Sequence, residues 1–309
     1  MTRVFERMAV VGLGLLGGSV AAAARQRGAV GRVVGATRSA EVRQAALANG
    51  VCDEVAELEV AVRGADLLVL ATPMSAMGPT LRRVAGELAS GCVVTDVGSV
   101  KAPLCDTLPG LLPPGTAYVG SHPMAGSHAR GFEHADADLF VGRPCVVMAN
   151  AATEPRERIV AFWRALGAEV LERDPASHDA EVAWASHLPH LLAYAFAGGL
   201  GDAPSGAAAV RSSGFDDFTR IARSDPEMWS EILTDNRKAL AAPVQAVRRR
   251  LAELVEAIEA DDTETLERLL AEGRDALADG ERRRSVAPAE PELPMAARPS
   301  GTQGSKYNS

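Results

Sequence analysis

Imidazole is the side chain whose ordinary pKa lies nearest neutrality, so a histidine held among small, backbone-permissive residues can take a proton and return it. His122 is set that way, within Gly120-Ser-His-Pro-Met-Ala-Gly-Ser127. Gly120 and Gly126 permit sharp turns, Pro123 stiffens the segment, and Ser121 and Ser127 offer short hydroxyls to a ring or a ligand oxygen. The same residues also suit a structural histidine in a tight turn, and the segment alone leaves both roles open. Two further histidines, His187 and His190, stand three apart in Ser186-His-Leu-Pro-His190 and can share a helix face. That spacing can serve zinc with a third ligand, but no acid or cysteine cluster completes a set, so no metal is expected. In Phe215-Asp-Asp-Phe-Thr-Arg220-Ile-Ala-Arg-Ser-Asp-Pro-Glu-Met-Trp229, Arg220 offers a planar fork to a carboxylate and Trp229 a flat apolar wall. An Asp225-Pro226 helix cap with a surface arginine and a core tryptophan fits that stretch equally well.

The elements that must position these groups begin with a buried strand, Met8 to Val11, followed by Gly12-Leu-Gly14-Leu-Leu-Gly17-Gly18-Ser19 and a helix to about Arg27. Strand, G-x-G-x-x-G and helix together predict a dinucleotide site on Gly12, Gly14, Leu15, Leu16 and Gly17, with the helix N-terminus toward the phosphates. The second strand, Arg32 to Ala36, ends at Thr37-Arg38-Ser39 with no acid for a ribose 2′-hydroxyl. Those three residues suit a 2′-phosphate, which favours NADP over NAD; a merely solvated Arg38 would leave the preference relaxed.

The alternation continues with a helix near Glu54 to Arg63, a strand Asp66 to Thr72, a helix Pro79 to Ala89 and a strand Cys92 to Asp96. In a doubly wound sheet the strand ends carry the site. This assigns Thr72, Pro73, Asp96 and Ser99 to the cofactor crevice and opens the His122 segment onto it. Strands at Arg143 to Met148 and Glu169 to Glu172, flanking a helix from about Glu154 to Leu166, close the first domain. From Pro175 to about Gly280 the pattern is helical. The expected fold is an α/β Rossmann-type doubly wound sheet over residues 1–173 and an all-α domain over 174–281. The stretch 282–309, rich in Pro, Ala, Ser and Glu, is expected to be a disordered tail.

A net charge of −8 excludes a broad nucleic-acid surface but not a local cationic pocket for a small anion. Only Lys101, Lys238 and Lys306 of the 32 basic residues are lysines. Cys52, Cys92, Cys105 and Cys145 show no C-x-x-C spacing and read as reduced thiols, which suits a cytoplasmic protein. Met8 to Ala24 has the outline of a secretory signal, but four glycines interrupt it and it carries the first strand, so no export signal and no membrane span are expected.

Taken together, Gly12 to Ser19, Asp96-Val-Gly-Ser-Val-Lys101, Gly120-Ser-His-Pro-Met-Ala-Gly126, Ser186-His-Leu-Pro-His190 and Asp217-Phe-Thr-Arg220-Ile-Ala222 resemble the prephenate/arogenate dehydrogenase family of tyrosine biosynthesis, across nearly all of residues 8–280. The resemblance implies an all-α second domain that forms a homodimer, and oxidative decarboxylation of prephenate to 4-hydroxyphenylpyruvate with NAD(P)+. It implies His122 as the base for the C4 hydroxyl, with Ser99 orienting it. Arg220 would hold a substrate carboxylate, with His187, His190 and Trp229 lining the pocket. Where some members carry an acid six residues after the histidine, this chain has His128, which puts the pocket rim and the choice of substrate in question. Arogenate, giving tyrosine directly, and an amino-deoxyprephenate of secondary metabolism are the alternative substrates. A β-hydroxyacid dehydrogenase, which places a catalytic lysine on its helices, fits less well, because Lys238 lacks the expected asparagine three or four residues on. A cofactor-sensing scaffold without chemistry is the non-enzymatic reading.

Overall fold

The computed structural model describes residues 3–125 and 131–286. Residues 8–11 and 67–70 form runs of apolar side chains buried on both faces, the pattern of inner parallel strands. They become β1 (Phe5–Val11) and β4 (Leu67–Leu70), side by side at the centre of a six-stranded parallel sheet. The remaining strands are β2 (Val30–Ala36), β3 (Glu54–Val55), β5 (Val93–Asp96) and β6 (Ala117–Tyr118), giving the order β3-β2-β1-β4-β5-β6. This doubly wound order reverses between β1 and β4, and there the strand ends open a crevice. Helices α1 (Leu15–Gln26), α2 (Ala40–Ala48), α3 (Leu58–Val62), α4 (Met74–Val84) and α5 (Ala102–Thr107) make the crossovers. Two hydrophobic clusters fill the spaces between sheet and helices, one around Phe5, Met8 and Trp163, the other around Leu68, Leu70 and Leu81.

Local details differ from the sequence expectations. The segment read as a helix from Glu54 starts as edge strand β3, since Glu54 pairs with Val34, and the helix covers only Leu58–Val62. Helix α4 starts at Met74 and carries Pro79 inside it, five residues earlier than a start at Pro79. A proline in the second turn forfeits one backbone bond and the helix continues through it.

The larger difference concerns the histidine segment. Ser121–Pro123 is a strand, β7, antiparallel to β8 (Pro144–Met148), with His122 opposite Val146. With β9 (Glu169–Arg173) parallel to β8, these form a separate three-stranded sheet, backed by α6 (Thr153–Ala165). Ring placement on a hydrogen-bonded strand is stiffer than on a free turn.

Helix α7 (Pro175–Val182) starts on Asp174, whose side chain accepts the N–H of Ala176 and Ser177, with Pro175 in the first turn. A π-helical turn, Ala183–His187, joins it to α8 (Leu188–Gly199), where Pro189 removes a donor from the first turn. Next come α9 (Ser213–Arg220), α10 (Pro226–Asp235, capped by Asp225) and α11 (Arg237–Glu259). The chain divides into two compact units at residues 245 and 246. In the second unit the end of α11 and α12 (Thr263–Val286) are tied by Arg250 to Glu272 at 2.7 Å. They leave Leu251, Val255, Ile258, Leu270 and Leu277 exposed. Helix α12 extends to Val286, past the expected start of the tail at residue 282; the rest of the tail lies outside the described residues. Among the described residues no helix is long and apolar enough to cross a membrane.

Candidate active site

Gly12 leaves β1 with φ +95°, and a Cβ there would sit 2.6 Å from the carbonyl oxygen of Ala71 at the end of β4. A Cβ on Gly17 would collide with the Gly12 carbonyl oxygen, so helix and strand pack only with glycine at both places. Gly14 is different: space around its Cβ position is open to 4 Å. Gly14 caps α1 without a side-chain bond and no acid stands in the first turn, so the N–H groups of Leu15, Leu16 and Gly17 remain for an anion. Thr72 Oγ1, across the crevice, is buried without a partner among the described residues, and Pro73 caps α4 beside it. This cradle fits a dinucleotide.

At the end of β2, Arg38 is exposed and makes no ion pair among the described residues. Ser39 is less free than its type suggests. Its hydroxyl accepts the Val42 N–H as the cap of α2 and donates to Glu41 at 2.7 Å.

Asp96 ends β5, where a cofactor ligand is expected; its side chain is fully enclosed and both oxygens are engaged within the protein. Oδ1 accepts the Gly98 N–H and the ammonium of Lys101, itself 0% exposed; Oδ2 accepts the Tyr118 hydroxyl at 2.7 Å. Lys101 also donates to the Ser121 carbonyl, and the Ser121 hydroxyl donates to the Asp96 carbonyl at 2.6 Å. This buried network joins β5, its following loop and β7. It sets half-buried Ser99 and the neighbouring strand of His122 in one frame.

His122, 8% exposed, faces α7: its Nδ1 lies 2.8 Å from His178 Nε2. His178 Nδ1 in turn lies 2.8 Å from Asp179 Oδ1. Burial holds the His122 imidazole well below its ordinary pKa of 6.5, and electrostatic interaction with His178, Lys101 and His187 adds to that. The ring is therefore neutral near pH 7 and able to accept a proton. Neither His178 nor Asp179 was singled out from sequence for this work, although their adjacency as an imidazole and a carboxylate was the available signal.

His187, expected to line the pocket, is 1% exposed, bonded through Nδ1 to Asn236 at 2.8 Å and edge-on to Trp229 with ring centroids 6.1 Å apart. Burial pushes its pKa down to about 4. His190 stacks on Trp229 with centroids 3.6 Å apart, and its Nδ1 donates to the Ser186 carbonyl. Burial lowers its pKa; the Ser186 bond opposes this, and the nearby Arg220 charge adds to it. Trp229 is buried with its Nε1 unpartnered among the described residues. Arg220, the last residue of α9, is exposed and without an ion pair among the described residues. His128 lies outside the described residues. Among them, no three His, Cys, Asp or Glu side chains are grouped to hold a metal.

A dinucleotide cradle at the switch point of a Rossmann sheet, with a neutral imidazole next to the crevice, defines an NAD(P)-dependent oxidoreductase. Residues 20–172 match the family model "Prephenate dehydrogenase, nucleotide-binding domain", and residues 174–272 match "Prephenate dehydrogenase, dimerization domain". The chain belongs to the prephenate dehydrogenase family. It is 30% identical over 275 residues to prephenate dehydrogenase of Lactococcus lactis subsp. cremoris, spanning 87% of this chain and 76% of that one. The crystal structure of A. aeolicus prephenate dehydrogenase with hydroxyphenyl propionate and NAD+ superposes with a TM-score of 0.81 at 28% identity, over 89% of this chain and 98% of that one. Synechocystis arogenate dehydrogenase gives 0.72 at 31% identity, over 91% and 100%.

Proposed function

We propose that this protein oxidatively decarboxylates prephenate to 4-hydroxyphenylpyruvate, using NADP+ in preference to NAD+, as a cytosolic homodimer. The observation that carries the reading is the neutral His122, held by His178 within the frame that also holds Ser99. Bound in the cradle of Gly12, Gly14 and the first turn of α1, the nicotinamide supplies the hydride acceptor. His122 takes the C4 hydroxyl proton as hydride leaves C4. The ring carboxylate departs as CO2, its electron pair completes the aromatic ring, and the proton returns to the phenolic oxygen. Ser99 orients the hydroxyl, Arg220 clamps the side-chain carboxylate, and Trp229 with the stacked His190 forms the apolar wall. Burial around His122 removes water that would compete for the proton.

Arg38 and Thr37, with no acid at the strand end, support the preference for NADP+. The four cysteines are free thiols, and burial pushes those of Cys52, Cys92 and Cys105 up to about 12, which suits a reducing cytosol. The likeness to Synechocystis arogenate dehydrogenase supports arogenate as the second substrate reading.

A two-by-two assay of prephenate and arogenate against NAD+ and NADP+ tests all of this. The expected result is the highest kcat/KM with prephenate and NADP+, from a preparation that light scattering shows to be dimeric. No turnover in any of the four combinations would reject the reading. Arg220→Ala should raise KM about 10- to 100-fold, the loss expected for one charge-assisted carboxylate contact, with kcat nearly unchanged. An unchanged KM would remove Arg220 from the carboxylate site.

A further inference from the structure

Two residues with no part in the substrate reading, Asp179 and Asn236, account for the donors and acceptors around the histidine cluster. Asp179 Oδ1 accepts the Lys101 N–H at 2.7 Å and Oδ2 the Ala102 N–H at 2.9 Å, which pins the carboxylate as an acceptor at the start of α5. The ring nitrogen facing it, His178 Nδ1, must then carry a proton. A neutral His178 with its proton there presents a lone pair on Nε2. His122 Nδ1, 2.8 Å away, must donate, and His122 Nε2 is left without a proton.

Asn236 imposes the same kind of choice on His187. Its amide nitrogen donates to the Asp179 carbonyl at 2.9 Å and uses its second hydrogen toward His187 Nδ1. His187 Nδ1 is therefore an acceptor, and its single proton lies on Nε2. The opposite tautomer of His122 would present an N–H to the substrate hydroxyl and offer no base.

We propose that Asp179, acting through His178, and Asn236 are positioning residues that fix the tautomers of His122 and His187. His122 Nε2 is thereby left as the proton acceptor and His187 Nε2 as a hydrogen-bond donor. The inference rests on His122 as the base and adds which nitrogen acts and what selects it. When Nε2 takes the hydroxyl proton, the Nδ1–H remains on His178, and the new positive charge faces the Asp179 carboxylate across one ring. No proton need leave the cluster before it returns to product.

The test is long-range proton–nitrogen correlation NMR on the full chain labelled with 15N-histidine at neutral pH without substrate, resonances being assigned through His122→Ala and His187→Gln. The expected spectrum shows Nδ1–H with an unprotonated Nε2 for His122, and Nε2–H for His187. Asn236→Asp, which replaces the donor by an acceptor, should move the His187 proton to Nδ1 and leave His122 unchanged. Asp179→Asn should abolish the single tautomer at His122 and lower kcat about 100-fold with KM within about threefold. Because Asp179 also caps α5, Asn236→Asp reports independently if that variant does not fold. Nε2–H on His122 in the wild-type protein, or an unmoved His187 proton in Asn236→Asp, would overturn the proposal. The tautomers are read without turnover, so absence of activity with prephenate would reject the substrate and leave this inference standing.

Discussion

Replacing His122 with alanine should lower kcat by about 10²- to 10⁴-fold, the scale of a positioned acid–base group, while cofactor affinity stays unchanged. KM should change little, because the ring does its work on a proton that moves only as hydride leaves. The pH profile carries the same assignment with a definite sign. His122 is active when neutral, and burial with electrostatic interaction from its neighbours holds its pKa well below 6.5. Activity should therefore hold level from neutral pH downward past 6.5 and fall only where acid protonates the buried ring. In the alanine variant the residual rate should lose that acid limb. A wild-type limb at or above 6.5 would assign the essential base to another group, and a variant with full activity would support the cofactor-sensing scaffold.

Some of this was legible in the chain because its causes are local. Gly12 and Gly17 are dictated by contacts of the first turn with its own strand and with β4, and they stand in a spacing that names the site. The Asp174-Pro175 and Asp225-Pro226 starts are likewise short-range chemistry. What escaped depends on partners distant in sequence. Ser121–Pro123 has a glycine before it and a proline within it, and reads as a turn until β8, more than twenty residues on, supplies the pairing. Asp96 stands where strand-end ligands stand, yet Tyr118, Lys101 and Ser121 close over it, and no property of Asp96 alone announces them. His178 meets His122 across 56 residues, and a pair of that kind is visible only once α7 is laid against β7. His187 closes the π-helical turn while His190 lies in the first turn of α8, and that turn sends His187 inward to Asn236, which the spacing alone does not show.

Lys101→Met should be the most damaging substitution for stability, at a cost of about 3–5 kcal/mol, the range for stripping one partner from a buried ion pair. The lysine is the largest polar side chain in the buried core, and methionine matches its stem while deleting the ammonium. Asp96 would then keep its Tyr118 and Gly98 donors but lose its counter-charge, and the Ser121 carbonyl would lose its donor. Removing both charges together should not restore stability as it does for an isolated pair, because Tyr118, Gly98 and Ser121 would all be left facing apolar side chains. Exposed Lys238→Met should stay within about 0.5 kcal/mol of wild type and serves as the control. Urea unfolding measures both. A Lys101→Met variant as stable as that control would mean that the ion pair between β5 and its following loop does not hold the His122 strand in place.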